Sequence, residues 1–116
     1  MRHHKTNTKF GRKKNQRNAL MKTLATSLIL KEKIVTTEAK AKALRPYVEK
    51  LVTRSKSDTL ASRRLLILRV GHLGSVKKLI DVLGPKYKER MGGYTRITHM
   101  PRRVGDGSPM AHIEFV

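Results

Sequence analysis

The first 31 residues contain no carboxylate, although nine of them are lysine or arginine, and the first acidic residue is Glu32. A stretch that carries charge of one sign repels itself, so it does not form an ordinary folded surface unless a polyanion neutralises it. The excess extends to the whole chain, which has 27 basic and 8 acidic residues and a formal net charge of +19 over 116 residues. Small soluble domains usually carry a net charge of about 2–8. We therefore expect a phosphate-rich partner, and nucleic acid is the commonest one.

Several function classes are disfavoured by what the sequence lacks. There is no cysteine, which excludes disulfides and thiolate zinc sites. No window reaches the roughly 18–20 apolar residues needed to cross a bilayer, so we expect no membrane partner. The carboxylates are spread singly, the histidines lack metal-ligand spacing, and no GxxxxGKS/T or GxSxG motif is present. The sequence therefore predicts a protein that is not an enzyme, with no cofactor, metal site or small-molecule substrate.

Apolar residues repeat at helical spacing in two long segments. A first helix is predicted from Asn15, and leucines at i, i+4 spacing form its apolar stripe: Leu20, Leu24 and Leu28. Thr37 is predicted to cap a second helix, with Glu38 in the first turn complementing the helix dipole. Its buried stripe is predicted to comprise Ala41, Leu44, Val48 and Leu51. Pro46 falls inside this second segment, where it removes a backbone donor and is expected to bend the helix.

Two shorter helices are predicted to follow. Asp58 is expected to cap a third helix over Thr59–Val70, which Gly71 ends. Ser75 is expected to cap a fourth helix over Val76–Leu83, which Gly84 and Pro85 end. The short link between these two helices leaves open a helix-turn-helix arrangement.

Three segments rich in β-forming residues predict a small sheet. Lys33–Thr36 is short and β-branched, and it precedes the second helix. Tyr94–His99 and Met110–Phe115 flank a loop, so we expect an antiparallel hairpin over about residues 94–115. The predicted fold is α+β in two layers, with about four helices packed on a sheet of one early strand and this hairpin. We divide the chain into a basic arm, residues 1–14, and a single domain, residues 15–116.

The arm is the strongest candidate for binding RNA. Its candidate contacts, with one residue of the first helix, are Arg2, His3, His4, Lys5, Lys9, Arg12, Lys13, Lys14 and Arg17. The six lysines and arginines within the arm could each release a counterion from a phosphate, which gives an expected salt slope of about −4 to −5. Mixed arginine and lysine suits irregular RNA, because arginine can fork onto phosphates or stack on bases while lysine acts as a point charge.

Two further groups of residues are candidates for the same surface. The predicted hairpin contributes Arg96, Arg102 and Arg103, and Tyr94 beside it could stack on a base. The third helix offers Arg63 and Arg64 on its predicted outer side. A flexible turn, a packing tyrosine and a solvated helix face are the alternatives for these three features.

Several blocks of the sequence together resemble one known family. They are MRHHKTNTKFGRKKNQRNALMKTLATSLI, KIVTTEAKAKALRPYVEKLVT, LGPKYKERMGGYTRI and VGDGSPMAHIEFV, and they occur in order over nearly the whole chain. This pattern is similar to that of the bacterial large-subunit ribosomal protein seventeen family.

The resemblance implies a structural constituent of the large ribosomal subunit, located in the cytoplasm on the ribosome. It implies binding to the large-subunit ribosomal RNA near the polypeptide exit, with other large-subunit proteins as neighbours, and a two-layer α+β fold. The positions that match the family's RNA-contacting segments are Arg2, His3, Lys5, Arg12, Arg17, Tyr94 and Arg96. His4, Gln16 and His112 depart from the residues that are usual in the family.

Two other classes of function remain open on the sequence alone. The first is a DNA-binding protein that uses the third and fourth helices as a helix-turn-helix, although SVKKLIDVLG has few side chains suited to base edges. Tight binding to duplex DNA with little affinity for structured RNA would favour it. The second is a cationic membrane-active peptide, which leakage of anionic vesicles would support.

Overall fold

The computed structural model describes residues 10–116. Along the chain, the helices and strands are α1 (Lys14–Lys31), β1 (Lys33–Thr37), α2 (Glu38–Ser55), α3 (Leu60–Val70), α4 (Leu73–Lys78), a π-helical segment (Leu79–Leu83), α5 (Gly84–Lys86), β2 (Thr95–Met100) and β3 (Met110–Phe115). The π-helical segment and α5 continue α4 without a break, so the three segments act as one fourth helix. Four helices packed with a three-stranded sheet confirm the predicted α+β fold.

The first helix ends at a sharp reversal of the backbone. Glu32 follows α1 with φ of 64°, a left-handed conformation that is uncommon for a residue with a side chain. Its backbone N–H donates to the carbonyl of Leu28 at 2.6 Å, and Lys78 Nζ donates to the carbonyl of Leu30 at 3.1 Å. These bonds satisfy carbonyls that the end of the helix leaves without partners. β1 begins directly after this reversal, at Lys33.

The apolar stripe of α1 is centred on Leu28, which is fully buried together with Ala25 and Ile29. Leu24 is only partly buried against the core, and Leu20 is also partly exposed. The predicted stripe is therefore confirmed at Leu28, whereas Leu20 and Leu24 are less buried than predicted.

The predicted N-cap, first turn and buried stripe of α2 are confirmed. Thr37 is its N-cap, and the hydroxyl accepts a hydrogen bond from the N–H of Lys40 at 3.4 Å. Glu38 lies in the first turn, and all four residues of the predicted stripe are buried. Pro46 lies inside the helix, which continues on both sides of it.

Two predicted helix caps are wrong. Thr59, not Asp58, caps α3, because its hydroxyl accepts the N–H of Ser62 at 3.2 Å. His72 rather than Ser75 caps α4, since its ring nitrogen accepts the N–H of Ser75 at 3.1 Å. Gly71 does end α3, in the left-handed conformation that glycine allows.

The fourth helix also runs through Gly84 and Pro85, where the sequence predicted its end. A π-helical segment lies just before them, and Pro85 occupies one of the first positions of α5. Proline is tolerated at the first positions of a helical segment, and the helix continues to Lys86.

The sheet has the order β1-β3-β2, and both neighbouring pairs are antiparallel. The predicted hairpin is confirmed: Ile97 lies opposite Ile113, and Met100 lies opposite Met110. Ile113 also faces Ile34 of β1, so β3 pairs with a strand that lies far earlier in the chain. One face of the sheet packs on the helices, where Ile113 and Ala111 are fully buried. The core therefore lies between the helices and the inner face of the sheet.

Candidate nucleic-acid interface

The structure describes part of the predicted arm. Arg2, His3, His4, Lys5 and Lys9 lie outside the described residues. The remaining predicted residues, from Arg12 onward, can be placed on the fold.

The described end of the arm turns back onto the start of α1. Phe10 and Gly11 both have positive φ, at 53° and 63°. Arg12 Nη1 donates to the carbonyl of Phe10 at 2.9 Å, and Arg17 Nη1 donates to the carbonyl of Arg12 at 3.0 Å. Lys13 lies just before α1 and is exposed. Side chains of α1 therefore hold the last residues of the arm beside the helix.

A broad open cleft of about 1530 Å³ lies between α1, α2 and α3. Cationic side chains from all three helices line it: Lys14 and Arg17 from α1, Lys42, Lys50 and Arg54 from α2, and Arg69 from α3. Among the described residues of its lining, Glu49 is the only carboxylate. Arg45 Nε lies 3.3 Å from Glu49 Oε2, and the hydroxyl of Thr95 donates to the same oxygen at 2.8 Å. The cleft thus combines several positive charges with one carboxylate that already has partners.

The amphipathic geometry of α2 explains the position of its cations. Leu44, Val48 and Leu51 point into the core, so the positions between them face outward. Lys50 and Arg54 are four residues apart, lie on the same face, and are both exposed. The two charges therefore follow one wall of the cleft.

One of the cleft cations, Lys42, forms an ion pair with Glu38. Lys42 Nζ lies 2.8 Å from Glu38 Oε1, and His99 Nδ1 lies 3.5 Å from the other oxygen of the same carboxylate. The hydrogen bond from Lys42 is the main cause that lowers the pKa of Glu38. The positive charge available at the cleft comes mainly from the other five cations.

The sequence predictions missed most of this surface. Lys14 and Arg17 were predicted, but the other four cations were not: Lys42, Lys50, Arg54 and Arg69. The signal was present in part, since two cations four residues apart on the outer face of α2 could have been noticed. The contribution of Arg69 depends on how α3 packs across α2, which no local pattern reveals.

The structure places Tyr94 in the core, so its ring does not present a surface for base stacking. Its side chain is 1% exposed, and its ring centroid lies 5.2 Å from that of Tyr87. The hydroxyl is within 3.1 Å of Thr53 Oγ1 and donates to the carbonyl of Arg90 at 3.2 Å. Lys56 Nζ lies 4.8 Å from the ring centroid and is the main cause that lowers the pKa of Tyr94. We therefore remove Tyr94 from the candidate interface, because it is a packing residue.

The arginines of the hairpin brace its loop. Arg103 binds both carboxylate oxygens of Asp106, at 3.0 and 2.6 Å, and this contact is the main cause that holds the pKa of Asp106 well below its usual range. Arg102 Nη1 donates to the carbonyl of Gly107 at 2.9 Å. Arg96, on β2, lies 3.7 Å from Glu114. Among the described residues, none of these three arginines lines the cleft.

Arg63 and Arg64, the two predicted arginines of α3, are exposed and do not line the cleft. Arg63 Nε donates to Asp58 Oδ1 at 2.8 Å, and this hydrogen bond is the main cause that lowers the pKa of Asp58. Arg64 is exposed beside it. The structure therefore brings two predicted cations, Lys14 and Arg17, into one cleft, and it leaves Arg63, Arg64 and the hairpin arginines on other surfaces.

The arrangement of α3 and α4 does not favour a helix-turn-helix. The proposed recognition helix buries Ser75, Val76, Leu79 and Ile80 against the rest of the protein. Few of its side chains remain to reach base edges in a major groove.

Within the described part of the chain, no group of three or more histidine or acidic side chains could hold a metal ion. No helix within residues 10–116 has the length and apolar character required to span a bilayer.

Comparison with known proteins identifies the family. The family model described as ribosomal protein L17 matches residues 20–116. The chain is 50% identical to large ribosomal subunit protein bL17 of Thermomicrobium roseum over 116 residues, which covers 100% of this chain and 99% of the relative. It is 50% identical to the protein of the same name from Gemmatimonas aurantiaca, covering 100% and 98%. It is 53% identical to that of a Sulfurihydrogenibium species over 117 residues, covering 100% and 97%. The chain therefore belongs to the ribosomal protein L17 family.

Proposed function

We propose that this protein is a structural constituent of the large ribosomal subunit that binds the large-subunit ribosomal RNA through its basic arm and the cationic cleft. The observation that carries the proposal is the cleft itself, where cations from α1, α2 and α3 converge. Glu49, the one carboxylate among the described residues that line it, is paired with Arg45. Membership of a family of ribosomal proteins supports the ribosomal role and the prediction that the chain is not an enzyme.

The charge distribution supports RNA as the ligand. Each lysine or arginine that neutralises a phosphate releases condensed counterions, which makes binding favourable and dependent on salt. The cleft is concave and spans three helices, so it fits the irregular surface of a folded RNA better than the regular surface of a duplex. The globular domain would dock on such a surface, while the arm cancels repulsion between neighbouring RNA segments.

The finer location rests on the resemblance noted above. It favours a position near the polypeptide exit of the large subunit, with other large-subunit proteins as neighbours and the bacterial cytoplasm as the compartment. The hairpin arginines, together with Arg63 and Arg64 of α3, do not line the cleft and are candidate contacts with a second RNA segment or with a neighbouring protein.

Sedimentation with ribosomal subunits tests the proposal. The tagged full-length protein should travel with the large subunit and dissociate as salt is raised. The double variant Lys50→Ala, Arg54→Ala should bind isolated large-subunit RNA more weakly, and its salt slope should be smaller by about 1 to 2.

A control variant removes the same charge elsewhere. Lys77 and Lys88 are exposed and do not line the cleft. Lys77→Ala, Lys88→Ala should therefore bind more tightly than the cleft variant at every salt concentration. Equal binding by the two double variants would exclude the cleft from the interface, and a wild-type protein that does not sediment with the large subunit would refute the proposed function.

A further inference from the structure

An aromatic ring lies beside the cations of the cleft. Tyr47 lines the cleft from α2, packs partly against the core, and remains partly exposed. We propose that the cleft binds an unpaired stretch of RNA, with one base stacked on Tyr47 and the adjoining phosphates on Lys50 and Arg54. This inference rests on the proposed function and adds the form of RNA that the cleft recognises.

The ring of Tyr47 is held in place by both walls of the cleft. Its hydroxyl donates to the carbonyl of Arg69 at 2.5 Å, which joins α2 to the last turn of α3. Carbonyls in a last turn lack helical partners, so the bond satisfies a group that would otherwise need water. Burial raises the pKa of Tyr47, which keeps the phenol neutral and able to donate. A ring fixed in this way loses little further conformational freedom when a base stacks on it.

The spacing along α2 places the ring and the cations on one surface. Tyr47, Lys50 and Arg54 are separated by three and four residues, so they share a face of the helix. From Tyr47 to Arg54 the helix rises by about 10 Å, at about 1.5 Å per residue. The cations can therefore reach the backbone on one side of a base that lies on the ring.

The floor of the cleft supplies apolar contact for a base. Met21 of α1 and Leu65 of α3 are partly buried and line it, and Phe10 provides a second aromatic ring at its edge. Aromatic rings beside a positively charged groove are typical of sites that bind unpaired nucleotides. A duplex hides the faces of its bases within the stack, so it could use the cations but not the ring. The combination of ring and charge thus favours unpaired RNA.

Fluorescence of a base analogue tests the inference. The probe is a 12-nucleotide single-stranded RNA with one central 2-aminopurine, and the competitor is a 12-base-pair RNA duplex. The protein has no tryptophan, so the signal of the probe is free of that background. Stacking on Tyr47 should quench the probe, and the unlabelled single strand should compete better than the duplex.

A matched pair of substitutions separates the ring from the hydroxyl. Tyr47→Leu should abolish the quenching and weaken binding of the single strand by about 5- to 150-fold, the change that corresponds to about 1–3 kcal/mol per stacked base. Tyr47→Phe keeps the ring and should retain the quenching. Thermal unfolding checks that both variants fold. If Tyr47→Leu does not fold, Phe10→Leu removes the other aromatic ring of the cleft and is measured in its place.

Two results would overturn the inference. One is wild-type quenching and affinity in Tyr47→Leu, and the other is equal competition by duplex and single strand. In either case, salt-dependent association of the wild-type protein with large subunits would still support the proposed function. If that association also failed, the proposed function would be refuted independently.

Discussion

Gly84 lies in close contact with the end of α2. A Cβ atom placed there would lie 2.8 Å from the carbonyl oxygen of Ser55, the last residue of α2, and 3.0 Å from that of Leu79. Both atoms belong to the backbone, so no side-chain rotation relieves the contact. Gly84→Ala therefore forces the end of α2 and the π-helical segment apart.

Two opposing effects determine the magnitude. Ordinary van der Waals contact begins at 3.4 Å, so the Ser55 carbonyl must move by about 0.6 Å. Overpacking of a well-packed interior typically costs about 1–3 kcal/mol. Alanine is more favourable than glycine in a helix by about 0.5–1 kcal/mol, which offsets part of this cost. We expect a net loss of about 1 kcal/mol, and at most about 2.5 kcal/mol, in the free energy of unfolding, and each kcal/mol lowers Tm by about 4–8 °C for a domain of this size.

Thermal and urea unfolding followed by circular dichroism measure this loss. Gly105→Ala is the matched control, because a Cβ at Gly105 meets no atom within 4 Å. That substitution should change stability by no more than about 0.5 kcal/mol. A Gly84→Ala protein as stable as the wild type would show that helix propensity outweighs the contact and that the reasoning is wrong.

Three further predictions concern the core, a helix cap and acid stability. Leu28→Ala should destabilise the protein by about 2–5 kcal/mol in urea unfolding, because Leu28 is fully buried, and Leu24→Ala should cost less. Thr59→Ala should cost about 0.5–2 kcal/mol by the same assay, because it removes the N-cap of α3. Folding lowers the pKa of Asp106, so its contribution to stability is present at neutral pH and is lost as the pH falls through about 4 and below. Asp106→Asn should therefore show a smaller decrease in Tm between pH 7 and pH 3, and an unchanged decrease would contradict the role of the Arg103 contact.

Local signals were sufficient for most of the fold. Thr37 and Gly71 mark helix ends by chemistry that acts within a few residues, and both predictions are confirmed. The stripe of α2 and the two alternating segments of the hairpin were also readable, because helices and strands expose different periods to the core. The sheet of one early strand and one hairpin followed from these segments.

The wrong or missing predictions concern features that depend on contacts between distant segments of the chain. Gly84 and Pro85 are common residues for ending a helix, but here a π-helical segment precedes them and the helix continues to Lys86. Tyr94 was predicted as a possible stacking residue and Tyr47 was not, whereas the packing of the helices buries the first and leaves the second partly exposed. Of the cleft cations, only Lys14 and Arg17 were predicted. The other wall of the cleft depends on how α2 and α3 pack together, which the local sequence does not show.

The central position of β3 has a consequence for biosynthesis. β1 is made early, yet its hydrogen-bonding neighbour begins only at Met110, after every helix has been synthesised. Until then β1 has an unsatisfied edge, and pairings between such distant segments form slowly. A nascent or truncated chain that lacks residues 110–115 would keep this edge open to association with other chains. Completion of the native state thus requires the synthesis of β3, and products that terminate before it are expected to be prone to aggregation or proteolysis.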